Sequence, residues 1–163
     1  MRIIFLDIDG VLNTDRAVRL QRLHGGENGL FDTQAIRYLR ELVEESGAQI
    51  VLSSTWRIHW GTDSRLWNTL TQQFRQAGID DRLLGATPVF SEGLQTAVRW
   101  KEIEAWLNLN ADLTLESFVI IDDEWEMGPF TKDRFVRCRG YNGITQELKA
   151  EALRILQTSW RNI

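Results

Sequence analysis

One cysteine, two prolines and two histidines among 163 residues leave several function classes without material. Cys138 alone excludes an internal disulfide and points to a reducing, cytoplasmic setting, where it reads as a small apolar strand residue rather than a reactive thiol. His24 and His59 lack the His/Cys spacing of a zinc site and read as surface or packing residues. Long apolar runs are missing too. The N-terminal run is only Ile3 to Leu6, far short of a signal-peptide core, and no window approaches a membrane span. A net charge of -4 supplies no global pull toward nucleic acid or anionic lipid, although it leaves room for a local basic patch. No repeat, low-complexity tract or Pro/Gly/Ser linker divides the chain, so one domain over residues 1–163 is expected. What remains is an ordinary globular composition, 43% hydrophobic and 26% charged, with seven tryptophans expected mostly in packing.

Strand patterns at 2–7, 48–53, 82–86, 117–122 and 134–138 alternate with helical ones. This predicts an α/β, Rossmann-like three-layer sandwich around a central parallel sheet of about five strands. After Asp32, an N-cap, Ile36, Leu39 and Val43 share a helix face; Phe31 is placed to staple Ile36, and Gly47 supplies the stop. Leu66, Leu70 and Phe74 mark a second helix, Trp100, Ile103 and Leu107 a third, and Leu148, Ala152 and Ile155 a fourth. Residues 11–30 show no clear period, contain Gly25, Gly26 and Gly29, and read as a flap or loop bordering the C-terminal end of the sheet.

The chemistry-bearing residues stand at strand ends. Ile3 to Leu6 runs into Asp7-Ile8-Asp9-Gly10, and buried carboxylates require compensation, most simply by a cation. In an extended chain residues i and i+2 project to one side, so both carboxylates are expected to converge. Ile50-Val51-Leu52 runs into Ser53-Ser54-Thr55-Trp56-Arg57, hydroxyls fit to hold a phosphate oxygen or simply to finish the strand as turn residues. Phe118 to Ile121 runs into Asp122-Asp123. Two strands delivering acids to one sheet edge make an oxygen-rich cage suited to Mg²⁺. Arg99 and Lys101 open the third helix; their helical spacing of about 200° allows only one of them to reach a common ligand, and the solvated face of the helix is the other reading. Trp56, Arg57, His59 and Trp60, and Lys132, Arg134, Arg137 and Arg139 beside Phe130, Phe135 and Tyr141, offer aromatics among cations, a base-stacking composition or a strand with one solvated face.

Four ordered motifs, Asp7-x-Asp9-Gly10, Ser53/Ser54, Arg99 or Lys101, and Asp122-Asp123, resemble the signature of the haloacid dehalogenase (HAD) superfamily of phosphohydrolases. The blocks Phe5 to Asn13, Ser53 to Arg57 and Glu102 to Leu107 most resemble small phosphatase-like domains associated with RNA-repair proteins. The resemblance implies Asp7 as nucleophile, Asp9 as general acid/base, and Mg²⁺ among Asp7, the Asp9 backbone carbonyl and Asp122, with Asp123 as ligand or support. It also implies Ser53, in preference to Ser54, and Arg99 or Lys101 on the phosphoryl oxygens. Two cations flanking Trp100, in place of a single lysine, depart from the pattern. Little chain is left for a cap, so a capless site with at most a minimal flap is expected, open to a phosphate on a bulky molecule such as an RNA or DNA end. A small-metabolite phosphatase or a phosphotransferase shares these motifs. A receiver-like signalling module fits less well, because receivers carry the acidic pair and the phosphoacceptor on different strands. No membrane partner is expected.

Overall fold

β1 (Arg2–Leu6), β2 (Gln49–Leu52), β3 (Leu83–Ala86), β4 (Ser117–Asp122) and β5 (Phe135–Arg137) form one parallel sheet in the order β3-β2-β1-β4-β5. The structure, a computed structural model, describes residues 1–25, 31–90 and 98–161. β1 and β4 are the apolar runs because they are central and covered on both faces; every residue of β4 is buried. Alternate side chains enter two cores. Ile4, Leu6, Ile50, Val119 and Ile121 meet α2 (Thr33–Ser46), α3 (Arg65–Ala77) and α5 (Gln146–Leu156) through Leu39, Leu42, Leu70, Phe74, Ala152 and Ile155. On the other face Ile3, Phe5, Val51, Phe118 and Ile120 meet α4 (Arg99–Leu109) through Ile103 and Trp106. That is the three-layer sandwich.

Helix ends follow their sequence signals. The Asp32 carboxylate accepts from the Gln34 and Ala35 N–H groups, and Gly47 closes α2 in the left-handed region. Leu66, read as a core position, is instead exposed on α3, whose buried face is Leu70 and Phe74. The expected flap also differs. Residues 11–30 include α1 (Asp15–Leu23), a helix held by polar contacts rather than by an apolar stripe. Thr14 caps it through the Ala17 N–H, Arg16 pairs with Asp32 at 2.8 Å, and only Ala17 is buried. Gly26 and Gly29 lie outside the described residues. Among the described residues no helix is long and apolar enough to cross a membrane.

Strand order reverses its direction of growth at β1/β4, and the crevice at such a switch point, beyond the C-terminal strand ends, is where open α/β sheets place ligands. Asp7 extends β1 by donating its N–H to the Ile121 carbonyl, and β4 ends in Asp122. Both acids therefore flank that crevice.

Candidate active site

Asp7, Asp122 and Asp123 bring carboxylate oxygens within 4.8 Å of one another. Asp7 and Asp122 are buried. Burial first, and the Asp122 carboxylate second, push Asp7 up to about 9; burial likewise raises Asp122 to about 7, against the opposing pull of Arg99. The cluster thus resists full ionisation unless a cation joins it. Its donor set fits one. The Asp122 Oδ2 is buried without a hydrogen-bond partner, and hard carboxylate oxygens are the ligands that Mg²⁺ takes. The cluster could therefore hold a divalent cation.

The Asp9 side chain is not part of this cluster, contrary to the expectation that the two carboxylates converge. The chain leaves the extended conformation after Asp7: the N–H groups of Val11, Leu12 and Asn13 all donate to the Ile8 carbonyl, so the i, i+2 rule no longer applies. The Asp9 carboxylate instead accepts from Asn13 Nδ2 at 3.0 Å and Trp56 Nε1 at 3.1 Å, while remaining exposed. Asn13 and Trp56 also line a cleft of about 290 Å³ with Val18, Arg22, Arg65, Leu66 and Thr69, between α1 and α3. Asp9 is thus tied, outside the acidic cluster, to two residues that line the cleft.

Gly10 makes the turn possible. Its φ of 79° lies in the left-handed region, and a Cβ there would run into the Asp123 carboxylate. Gly10→Ala is expected to cost about 1–2 kcal/mol from the backbone alone and to displace Asp123, which thermal unfolding with and without a divalent ion checks. An unchanged melting temperature in both conditions would remove Gly10 from this role.

The two serines separate. Ser53 is fully buried, its N–H extends the ladder to the Leu6 carbonyl, and its Oγ has no hydrogen-bond partner. Ser54 Oγ is occupied, accepting from the Trp56 N–H as the cap of a 3-10 turn over Thr55–His59. The two cations separate as well. Arg99 Nε lies 3.7 Å from Asp122 Oδ2, and its Nη1 is buried without a hydrogen-bond partner. Lys101 is exposed, its Nζ 5.6 Å from the Trp100 ring centroid. Trp100 in turn lies against Gly128, where a Cβ would overlap the indole.

Sequence reading missed the brace behind these groups. Arg57 and Glu102 form a buried ion pair at 2.6 Å. Arg57 Nη1 also donates to the Ser54 carbonyl at 2.6 Å, and Glu102 Oε2 accepts the Phe90 N–H at 2.9 Å. The serine turn and the start of α4 are thereby tied together. Of the aromatic-cation runs, Trp56 and Arg57 are buried, Phe135 belongs to the core, and Arg134 is buried with Nη1 donating to Ser117 Oγ at 2.9 Å and the Thr158 carbonyl at 3.1 Å. Arg57 and Arg134 thus serve the interior, whereas Lys132 and Arg139 are exposed and Arg137 is half-buried.

A parallel three-layer sandwich with acids at its switch point, a hydroxyl on the neighbouring strand end and an arginine opposite is the arrangement of a HAD-type hydrolase. The chain belongs to the family described as HAD domain in Swiss Army Knife RNA repair proteins, which matches residues 3–148. No curated protein is matched by the sequence. Membership supports hydrolase chemistry, of the phosphatase kind.

Proposed function

We propose that this protein is a Mg²⁺-dependent phosphomonoesterase working through an aspartyl-phosphate on Asp7, with a nucleic-acid end as its substrate. The observation that carries the reading is the juxtaposition of three carboxylates with the partnerless Ser53 Oγ and Arg99 Nη1. Asp7, Asp122 and Asp123 would hold the ion, whose charge offsets the repulsion between a carboxylate and a phosphate dianion. The Asp7 carboxylate attacks phosphorus as the ester oxygen departs, splitting hydrolysis into two displacements. Asp9, exposed and outside the ligand cluster, gives its proton to that oxygen and then takes one from the water that clears Asp7. Ser53 and Arg99 bind the remaining phosphoryl oxygens, and Lys101 stays in solvent.

The nucleic-acid end is favoured by the cleft that Arg22 and Trp56 help to line, Trp56 being the residue whose indole N–H holds Asp9, and by the scarcity of chain for a cap. Phosphate release from an aryl phosphate tests the reaction class. Turnover is expected with Mg²⁺ and not in excess EDTA, and Asp9→Asn is expected to lose about 10²–10⁴-fold. Equal turnover in EDTA would reject metal dependence, and an undiminished Asp9→Asn variant would reject its role as acid and base.

A further inference from the structure

Trp125 is 80% exposed, the most exposed large apolar side chain among the described residues. Nothing in either core uses it. Yet its ring is held in place, because the Arg137 guanidinium lies 3.8 Å from the ring centroid. Arg137 is the register partner of Asp122 across β4/β5, and the pair two residues earlier on the same face, Ile120 and Phe135, packs on the side covered by α4. Immediately after Asp122 the chain turns, with the Asp122 Oδ1 accepting the Glu124 N–H at 3.1 Å. The indole therefore belongs to the turn that leaves the C-terminal end of β4, three residues beyond Asp122, with the Arg137 guanidinium against its ring and most of its surface open to solvent.

We propose that Trp125, oriented by Arg137, is the stacking platform for the terminal nucleobase of a nucleic-acid strand whose phosphate occupies the Asp7 site. The proposal rests on the phosphatase reading above and names the part of the substrate that reading leaves open. A preset indole gives a flat ring a partner without the entropy of ordering it, and the guanidinium adds positive charge where a phosphodiester backbone passes. Stacking on an aromatic face is sequence-tolerant, so the platform selects for the presence of a base rather than its identity.

The test is a double-change cycle on binding, measured by fluorescence anisotropy with labelled, hydroxyl-ended pentanucleotides that cannot be turned over. The strands end in an intact nucleotide or in an abasic one, and the proteins are wild type, Trp125→Ala and Trp125→Phe, all with Mg²⁺. Removing the terminal base or the indole is expected to weaken binding about 10-fold each, and both together no further, while Trp125→Phe keeps most of the affinity. Effects that multiply, or no binding of the intact strand by wild type, would overturn the platform. Phosphate release from glycerol phosphate, which carries no ring, reports on the hydrolase reading separately. Release with multiplying effects removes the platform alone, and no release with a coupled cycle removes the hydrolase reading alone.

Discussion

Asp7→Asn is expected to abolish phosphate release, by about 10³-fold or more, and at the same time to raise the melting temperature of the metal-free protein at pH 8. The two effects have one source. Asp7 is buried beside Asp122, so its carboxyl sits near 9 in the folded chain against an ordinary 3.8. Between those values the folded state binds the proton more tightly than the unfolded state. The associated stability is complete below about pH 4 and is lost progressively as pH rises toward 9. An asparagine carries no such debt, so the variant's advantage is negligible at pH 4 and grows to a few kcal/mol at pH 8, on the order of 5–10 °C for a chain of this size. Mg²⁺ should reverse the comparison, because binding to deprotonated carboxylates favours the wild-type protein and releases protons. Thermal scans at pH 5 and pH 8, with Mg²⁺ and with EDTA, measure all of this. Wild-type turnover in Asp7→Asn would sink the nucleophile, and a stability difference independent of pH would sink the buried-carboxyl account.

How much of this was readable beforehand depends on whether the determining contact is local. β1 and β4 were legible because central parallel strands are unbroken apolar runs, and α2 because Asp32 and Gly47 bracket it. α1 was not, since its anchors are polar and distant: the Asp15 and Arg16 N–H groups donate to the Gly140 and Tyr141 carbonyls. The four-residue repeat put Leu66 with Leu70 and Phe74, yet only the latter two face the sheet. Which of Arg99 and Lys101 faces the acids was open to sequence. Arg99, Ile103 and Trp106 fall at i, i+4 and i+7, the spacing of a single helix face, and that face is the one turned inward. Nothing local singled out Trp125, because an exposed tryptophan and a core tryptophan look alike in a sequence. Arg57 and Glu102 stand 45 residues apart, and their pairing is a product of the fold.

That pairing carries the second large effect: Glu102→Ala is expected to destabilise the protein by about 3–5 kcal/mol, roughly 6–20 °C in melting temperature. The loss exceeds that of an exposed salt bridge because the Arg57 guanidinium stays buried without its counter-charge, and burial already lowers its proton affinity. The Phe90 N–H loses its acceptor as well. Replacing both partners by apolar residues of similar size, Arg57→Met with Glu102→Leu, removes the unpaired charge and should recover most of the stability. Activity should not return with it. Arg57 holds the Ser54 carbonyl, next to Ser53, while Glu102 lies one turn along α4 from Arg99, so the pair sets the spacing between the hydroxyl and the cation proposed to grip the phosphate. A displacement of about 1 Å in such a cradle lowers kcat/KM by about 10²-fold. Stability restored without activity identifies the pair as a positioning device; stability and activity restored together would make it a packing element and nothing more.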